Sequence, residues 1–99
     1  MPGLLDPDET ANALTRLPLW TAGPRGLVRS LDAPDFPTAV QIVDAVAQAA
    51  EEMDHHPDID IRWRTLTFAC TTHSAGGITA RDVDLAHRID AVAVAHGAA

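Results

Sequence analysis

The sequence predicts an α+β fold: a four-stranded antiparallel sheet with three helices packed on one face, in the order α-β-β-α-β-β-α. Three observations carry that reading. An apolar stripe at three- and four-residue steps runs from Phe36 to Met53. Two runs between Ile59 and Thr72 alternate apolar and polar residues. Each periodic segment is bounded by Pro, Gly or a residue able to cap a helix. Helices with one apolar stripe and strands with one apolar face reach a stable state by hiding those surfaces against each other.

Along the chain, Asp6 is placed to cap a short helix with Pro7 at its first position and Glu9 at its third, where carboxylates meet free amides and the positive dipole end. It should run to about Leu17, with Ala11, Leu14 and Leu17 on one face, until Pro18 stops it. Thr21-Ala22-Gly23-Pro24-Arg25-Gly26 reads as a turn joining two short strands, the second with Leu27, Arg29 and Leu31 on one side. Trp20 reads as a core aromatic, with a place in a site as the alternative.

Asp35 is a cap for the strongest helix, with Pro37 tolerated in its first turn. Its stripe of Phe36, Ala39, Val40, Val43, Val46, Ala47, Ala50 and Met53 should cover the sheet. Pro57 forces an end by His56, because the residue before proline is driven out of helical geometry. Ile59, Ile61 and Trp63, then Leu66, Phe68, Cys70 and Thr72, have the period of half-buried strands. Gly76-Gly77 breaks that pattern, and Thr79 with Asp82 forms a capping-box variant ahead of Val83, Leu85, Ala86, Ile89 and Val92. The last helix should end near Gly97.

At 99 residues the chain is one domain, residues 1–99, without internal repeat. A domain this small buries only about 60–70% of its unfolded surface, so it gains from self-association through small-residue helix surfaces such as Ala45, Ala49 and Ala91 to Ala95. A net charge of -7 disfavours nucleic acid and anionic membranes, which need a basic face. Neither a membrane-length apolar run nor a basic leader is present, which predicts a cytoplasmic protein. The single cysteine, Cys70, reads as core.

The chemistry concentrates in histidines. His55 and His56 close the long helix and His73 closes the last strand. With Arg64-Thr65 as the hairpin turn, His56 falls level with His73; a one-residue change puts His55 there. Either register gathers three imidazoles at one end of the sheet. Glu51, four positions before His55, is placed to orient its ring, Asp54 stands beside the pair, Pro57 sets the exit and Trp63 supplies an aromatic wall. Imidazole ionises near pH 6.5 and so both gives and takes protons near neutrality. The plainer reading of a histidine pair is a helix C-terminus interacting with its dipole. Metal binding is the competing chemistry, but adjacent residues diverge by about 100° on a helix and do not chelate as an i, i+4 pair does. His87 and His96 read as surface or helix-end residues.

From Glu51 across three residues to His55-His56-Pro57, then five to Trp63, nine to His73 and eight to Asp82, the pattern resembles the pterin-4a-carbinolamine dehydratase family (4a-hydroxytetrahydrobiopterin dehydratase). Trp20, Thr71-Thr72-His73 and Thr79-Ala80-Arg81-Asp82-Val83 strengthen the likeness. Trp63 stands where tyrosine is more often seen, and the turn after it lacks the usual asparagine. The resemblance implies a hydro-lyase that removes water from 4a-hydroxytetrahydropterin to give quinonoid dihydropterin, recycling the pterin of aromatic amino-acid hydroxylation. It implies His55 and His73 as acid and base, and His56 as a pterin-binding residue that shares proton transfer. Glu51, Asp54, Pro57, Trp63, Thr72 and Asp82 would bind or orient, although Asp82 can equally be only a cap. No metal or other cofactor is expected, and a homodimer or homotetramer is. The alternative function is a non-catalytic dimerisation or assembly module, serving transcription or another enzyme; a metal-binding stress protein is a third.

Overall fold

Asp6 opens the first helix of the computed structural model, which describes residues 3–99; Met1 and Pro2 of the opening segment lie outside the described residues. Its carboxylate accepts from the Glu9 N–H at 2.8 Å while Glu9 accepts from the Asp6 N–H at 2.9 Å. The helix, α1 (Pro7–Leu14), is shorter than expected and buries none of its residues. Thr15 donates its hydroxyl to Asn12 O at 2.6 Å, a local bond that competes with helix continuation. Leu17 is fully buried, but it reaches the core from beyond the helix, not as part of its face.

The strands β1 (Thr21–Gly23) and β2 (Gly26–Asp32) form a hairpin whose turn is only Pro24-Arg25. Thr21, Ala22 and Gly23, expected in the turn, pair with Val28, Leu27 and Gly26. Glycine is required at Gly26, where φ is +93° and a Cβ would lie 2.0 Å from Cys70 O of the neighbouring strand.

In α2 (Phe36–Met53), Asp35 caps by accepting from the Thr38 N–H at 2.9 Å. Its buried residues are Ala39, Ile42, Val46, Ala49 and Ala50. Phe36, Val40 and Ala47, counted in the sequence stripe, are exposed, and Ala49, counted as exposed, is buried. Burial is displaced because α2 also packs along α3 (Ala80–Ala95): Ala45 and Ala49 line the same groove as Arg88, Ala91 and Val92.

The remaining strands, β3 (Asp58–Arg62) and β4 (Thr65–Cys70), complete an antiparallel sheet of order β1-β2-β4-β3. Arg62 stands opposite Thr65, so the turn is Trp63-Arg64 and not Arg64-Thr65. Trp63 takes a left-handed φ of 55°, and Arg64 is held by Ala33 through an Ala33 N–H bond to Arg64 O and an Arg64 Nη1 bond to Ala33 O, each 2.9 Å. The correction shifts every pairing by two residues, an even number, so the apolar faces survive: Ile59 opposes Phe68 and Ile61 opposes Leu66. The ladder does not place His55 or His56 opposite His73. It stops at Asp58 opposite Ala69, and His73 begins a single 3-10 turn, His73–Ala75.

Leu27, Leu31, Leu66, Phe68 and Cys70 of the sheet meet Ile42 and Val46 of α2 and Leu85 and Ile89 of α3 in one core. The opposite face carries hydroxyl pairs such as Ser30 with Thr67 at 2.7 Å. Trp20 belongs to the core: its Nε1 and the buried Arg29 Nη1 both donate to Asp90 Oδ1, at 2.8 and 2.6 Å, pinning α3 to β2. No helix among the described residues is long and apolar enough to cross a membrane.

Candidate active site

The end of α2 determines where the histidines go. Asp54 takes a left-handed conformation (φ 48°, ψ 45°), and the His55 N–H folds back to Ala50 O at 3.0 Å. Such a turn closes a helix by satisfying late carbonyls, and aspartate is among the few non-glycine residues that visit it. It also ends the helical spacing. Glu51 therefore does not meet His55 four residues on; its Oε2 lies 2.5 Å from His56 Nε2, and this pair is exposed. The expectation that Glu51 orients His55 is corrected to His56.

His55 points inward and is 7% exposed. Its Nε2 lies 2.6 Å from Oδ1 of Asp82, a fully buried carboxylate on the first turn of α3. The other oxygen, Oδ2, accepts from Thr72 Oγ1 at 2.8 Å and from the Thr79 N–H at 2.9 Å. Thr72 and Thr79 hydroxyls are joined at 2.8 Å; since Thr72 spends its proton on Asp82, Thr79 is the donor between them. Accepting throughout, an ionised Asp82 leaves His55 Nε2 as a donor and Nδ1 as the nitrogen available for proton exchange. Asp82 is thus both the helix cap read in the sequence and the partner of His55.

His73 follows Thr72 directly and is exposed, at the same end of the β3–β4 hairpin as His55, His56 and Pro57. Trp63 is at the other end. It sits in the hairpin turn, 73% exposed, with the Arg64 guanidinium 5.2 Å from its ring centroid, so within this chain it is no wall of the histidines; beside the turn, it lies at the far end of the hairpin in the expected register as in the observed one. Asp54 contributes its backbone turn, and its carbonyl accepts from Arg81 Nη2 at 2.8 Å. A cavity of about 590 Å³ adjoins these hydrogen bonds, lined by Thr72, Thr79, Ser74 and Arg81 among others; none of the three imidazoles lines it. Among the described residues no group of three His, Cys, Asp or Glu side chains stands in a metal-holding arrangement.

Thr79 and Arg81 were not singled out from the sequence as site residues. For Thr79 the available signal was the capping box itself, because a cap commits one carboxylate oxygen and leaves the other free for a second partner; no local pattern pointed to Arg81, whose partners are backbone carbonyls of α2. Cys70 is buried, and its thiol is pushed up to about 12 by burial first and then by the charges of Asp82 and Asp58.

Residues 3–92 match the family model described as Pterin 4 alpha carbinolamine dehydratase. The chain belongs to that family. A relative from Nocardia farcinica, by provisional name a pterin-4-alpha-carbinolamine dehydratase, is 54% identical over 91% of this chain and 95% of its own. One from Mycolicibacterium smegmatis with the same provisional name is 49% identical over 90% and 95%. The crystal structure of a Brucella melitensis protein titled transcriptional coactivator/pterin dehydratase superposes with a TM-score of 0.86 at 32% identity, covering 90% of this chain and 97% of that one. Glu51, His55, His56, His73 and Asp82 all fall inside the span shared with the dehydratase family.

Proposed function

We propose that this chain is a 4a-hydroxytetrahydropterin dehydratase, a hydro-lyase working by histidine acid–base catalysis in tetrahydropterin recycling. The observation that carries the reading is the pair of imidazole–carboxylate couples at one sheet end: a buried His55–Asp82 couple tied to Thr72 and Thr79, and an exposed His56–Glu51 couple. Hydroxide is a poor leaving group. An imidazolium gives its proton to the 4a hydroxyl as the carbon–oxygen bond breaks, a base takes the proton of the neighbouring ring nitrogen, and water and the quinonoid product leave. The two protons balance, with no change of redox state and no covalent intermediate.

In this reading His55 and His73 are acid and base. His55 is held in one orientation by Asp82; His73, exposed beside Thr72 in the turn beyond β4, is free to meet substrate. His56, oriented by Glu51, binds the pterin and shares proton transfer. Thr72, Asp54 and Pro57 orient the cluster, while Trp63 reaches a pterin only if a second copy of the chain brings it there. We further propose that the enzyme is cytoplasmic, homo-oligomeric and metal-independent, since adjacent imidazoles diverge toward different carboxylates.

A second reading has its own support: the Brucella melitensis relative is titled a transcriptional coactivator as well as a pterin dehydratase, so a dimerisation or assembly role on the same fold is the competing proposal. A stopped-flow assay of dehydration of synthetic 4a-hydroxytetrahydropterin, run with and without chelator, separates them. Acceleration that survives chelator supports the dehydratase. A folded protein that does not accelerate the reaction supports the assembly module.

A further inference from the structure

By charge, α2 ends unfavourably. Glu51 and Glu52 occupy its last turn and Asp54 its cap, all at the negative end of the helix dipole, and the turn contains no basic residue. The cations arrive from α3. Arg88 pairs with Glu52. Arg81 donates from one nitrogen, Nη2, to Met53 O at 2.9 Å and to Asp54 O at 2.8 Å. Within α3, Arg81 is in the first turn, where the dipole of its own helix opposes a cation; its position makes electrostatic sense only through what it holds on α2.

Those two carbonyls belong to the peptide groups on either side of Asp54. Holding both peptide planes fixes the left-handed φ and ψ of the residue between them, and that turn sends His55 inward to Asp82 and His56 outward to Glu51. The next residue of α3, Asp82, grips the His55 ring. One helical turn thus sets both the backbone entry and the imidazole of His55.

We propose that Arg81 is a positioning residue for the two histidines, acting through the backbone of Met53 and Asp54. Its effect on turnover rests on the dehydratase reading; its effect on imidazole placement does not. Because Arg81 also lines the cavity beside Thr72, direct contact with substrate is the rival role. The two differ: a contact residue alters mainly KM, and a positioning residue alters kcat and the imidazoles of the substrate-free protein.

The test uses the full chain as wild type, Arg81→Ala, Arg81→Lys and Arg88→Ala, with imidazole Cε1–Hε1 NMR spectra at one fixed pH without substrate, followed by steady-state kinetics. Arg81→Ala should displace the His55 and His56 resonances, leave those of His87 and His96 in place, and lower kcat roughly tenfold to a hundredfold, the scale of a misplaced catalytic group, with KM moving less than about threefold. Arg81→Lys should restore both readouts, since a single nitrogen makes both bonds. Arg88→Ala should match wild type. Unmoved His55 and His56 resonances in Arg81→Ala, or a change confined to KM, overturns the proposal while leaving the dehydratase reading intact. Displaced His55 and His56 resonances in Arg81→Ala, with a wild type that lacks dehydratase activity, would do the reverse. Should Arg81→Ala fail to fold, Arg81→Met, which keeps a long side chain but no donor, against Arg81→Lys decides the matter: coincident His55 and His56 resonances in the two variants overturn it.

Discussion

His55 and His73 differ in how tightly the fold holds them, and their substitutions should differ accordingly. His73 is exposed, so His73→Ala should lower turnover by about a hundredfold to ten-thousandfold, the usual cost of a lost proton-transfer group, with stability within about 0.5 kcal/mol of wild type. His55→Ala should lower turnover comparably and also cost roughly 1–3 kcal/mol, because it strips a fully buried carboxylate of one partner. His56→Ala should raise KM as well. His87, exposed on α3 outside the site, is the control. Wild-type turnover in folded His55→Ala and His73→Ala would refute the acid–base assignment. Cys70 offers a separate test. The chain has no tyrosine, and each of its 7 basic residues is arginine, so between pH 9 and 12 the thiol is the side chain left to titrate. Its folded value is raised from 9.0 to about 12; the associated stability is therefore fully present below pH 9 and is lost as pH rises toward 12, at up to about 1.4 kcal/mol per pH unit. Urea unfolding across that range should show the decline in wild type and its absence in Cys70→Ala.

At the scale of elements, the first turn of α3 joins structure to site. Asp82→Ala removes both the cap on the Thr79 N–H and the partner of His55, and should cost roughly 2–4 kcal/mol together with turnover. Asp82→Asn should recover much of the stability, because an amide oxygen still caps, but little turnover, because it no longer holds charge beside the imidazole. Equal turnover in Asp82→Asn and wild type would confine Asp82 to capping. This dual role was half legible in the sequence: Thr79 and Asp82 at capping-box spacing were plain, whereas the second carboxylate oxygen needed the fold to find His55. Element order, both long helices and the period of β2, β3 and β4 could likewise be read directly, since periodicity and caps are local, whereas β1 is the three residues taken for the turn. What local pattern could not supply was conformation at single left-handed residues. Trp63 at φ 55° moved the hairpin turn by one residue, and Asp54 at φ 48° broke the helical spacing that would have joined Glu51 to His55. Neither is glycine, so neither announced itself.

At the scale of the whole molecule, the described residues leave an apolar surface uncovered on β3, which a second copy would bury. Ile59 and Ile61 face the same side of the sheet as the buried Phe68 and Leu66, yet they remain 36% and 43% exposed. They lie on β3, an edge strand with unpaired backbone groups along one side. Phe36 and Val40 of α2 are exposed as well. A chain of 99 residues gains proportionately more than a large one by burying such a surface against itself. Sedimentation velocity at micromolar concentration should therefore show a dimer or larger species. Ile59→Lys combined with Ile61→Lys should shift it toward monomer while preserving the circular dichroism spectrum, because both side chains lie outside the core cluster and the added charges oppose association at an edge. A 10.5 kDa species for the wild type would refute self-association. An oligomer unaffected by the double substitution would instead place the contact elsewhere, with the Ala45–Ala91 groove between α2 and α3 as the next surface to charge.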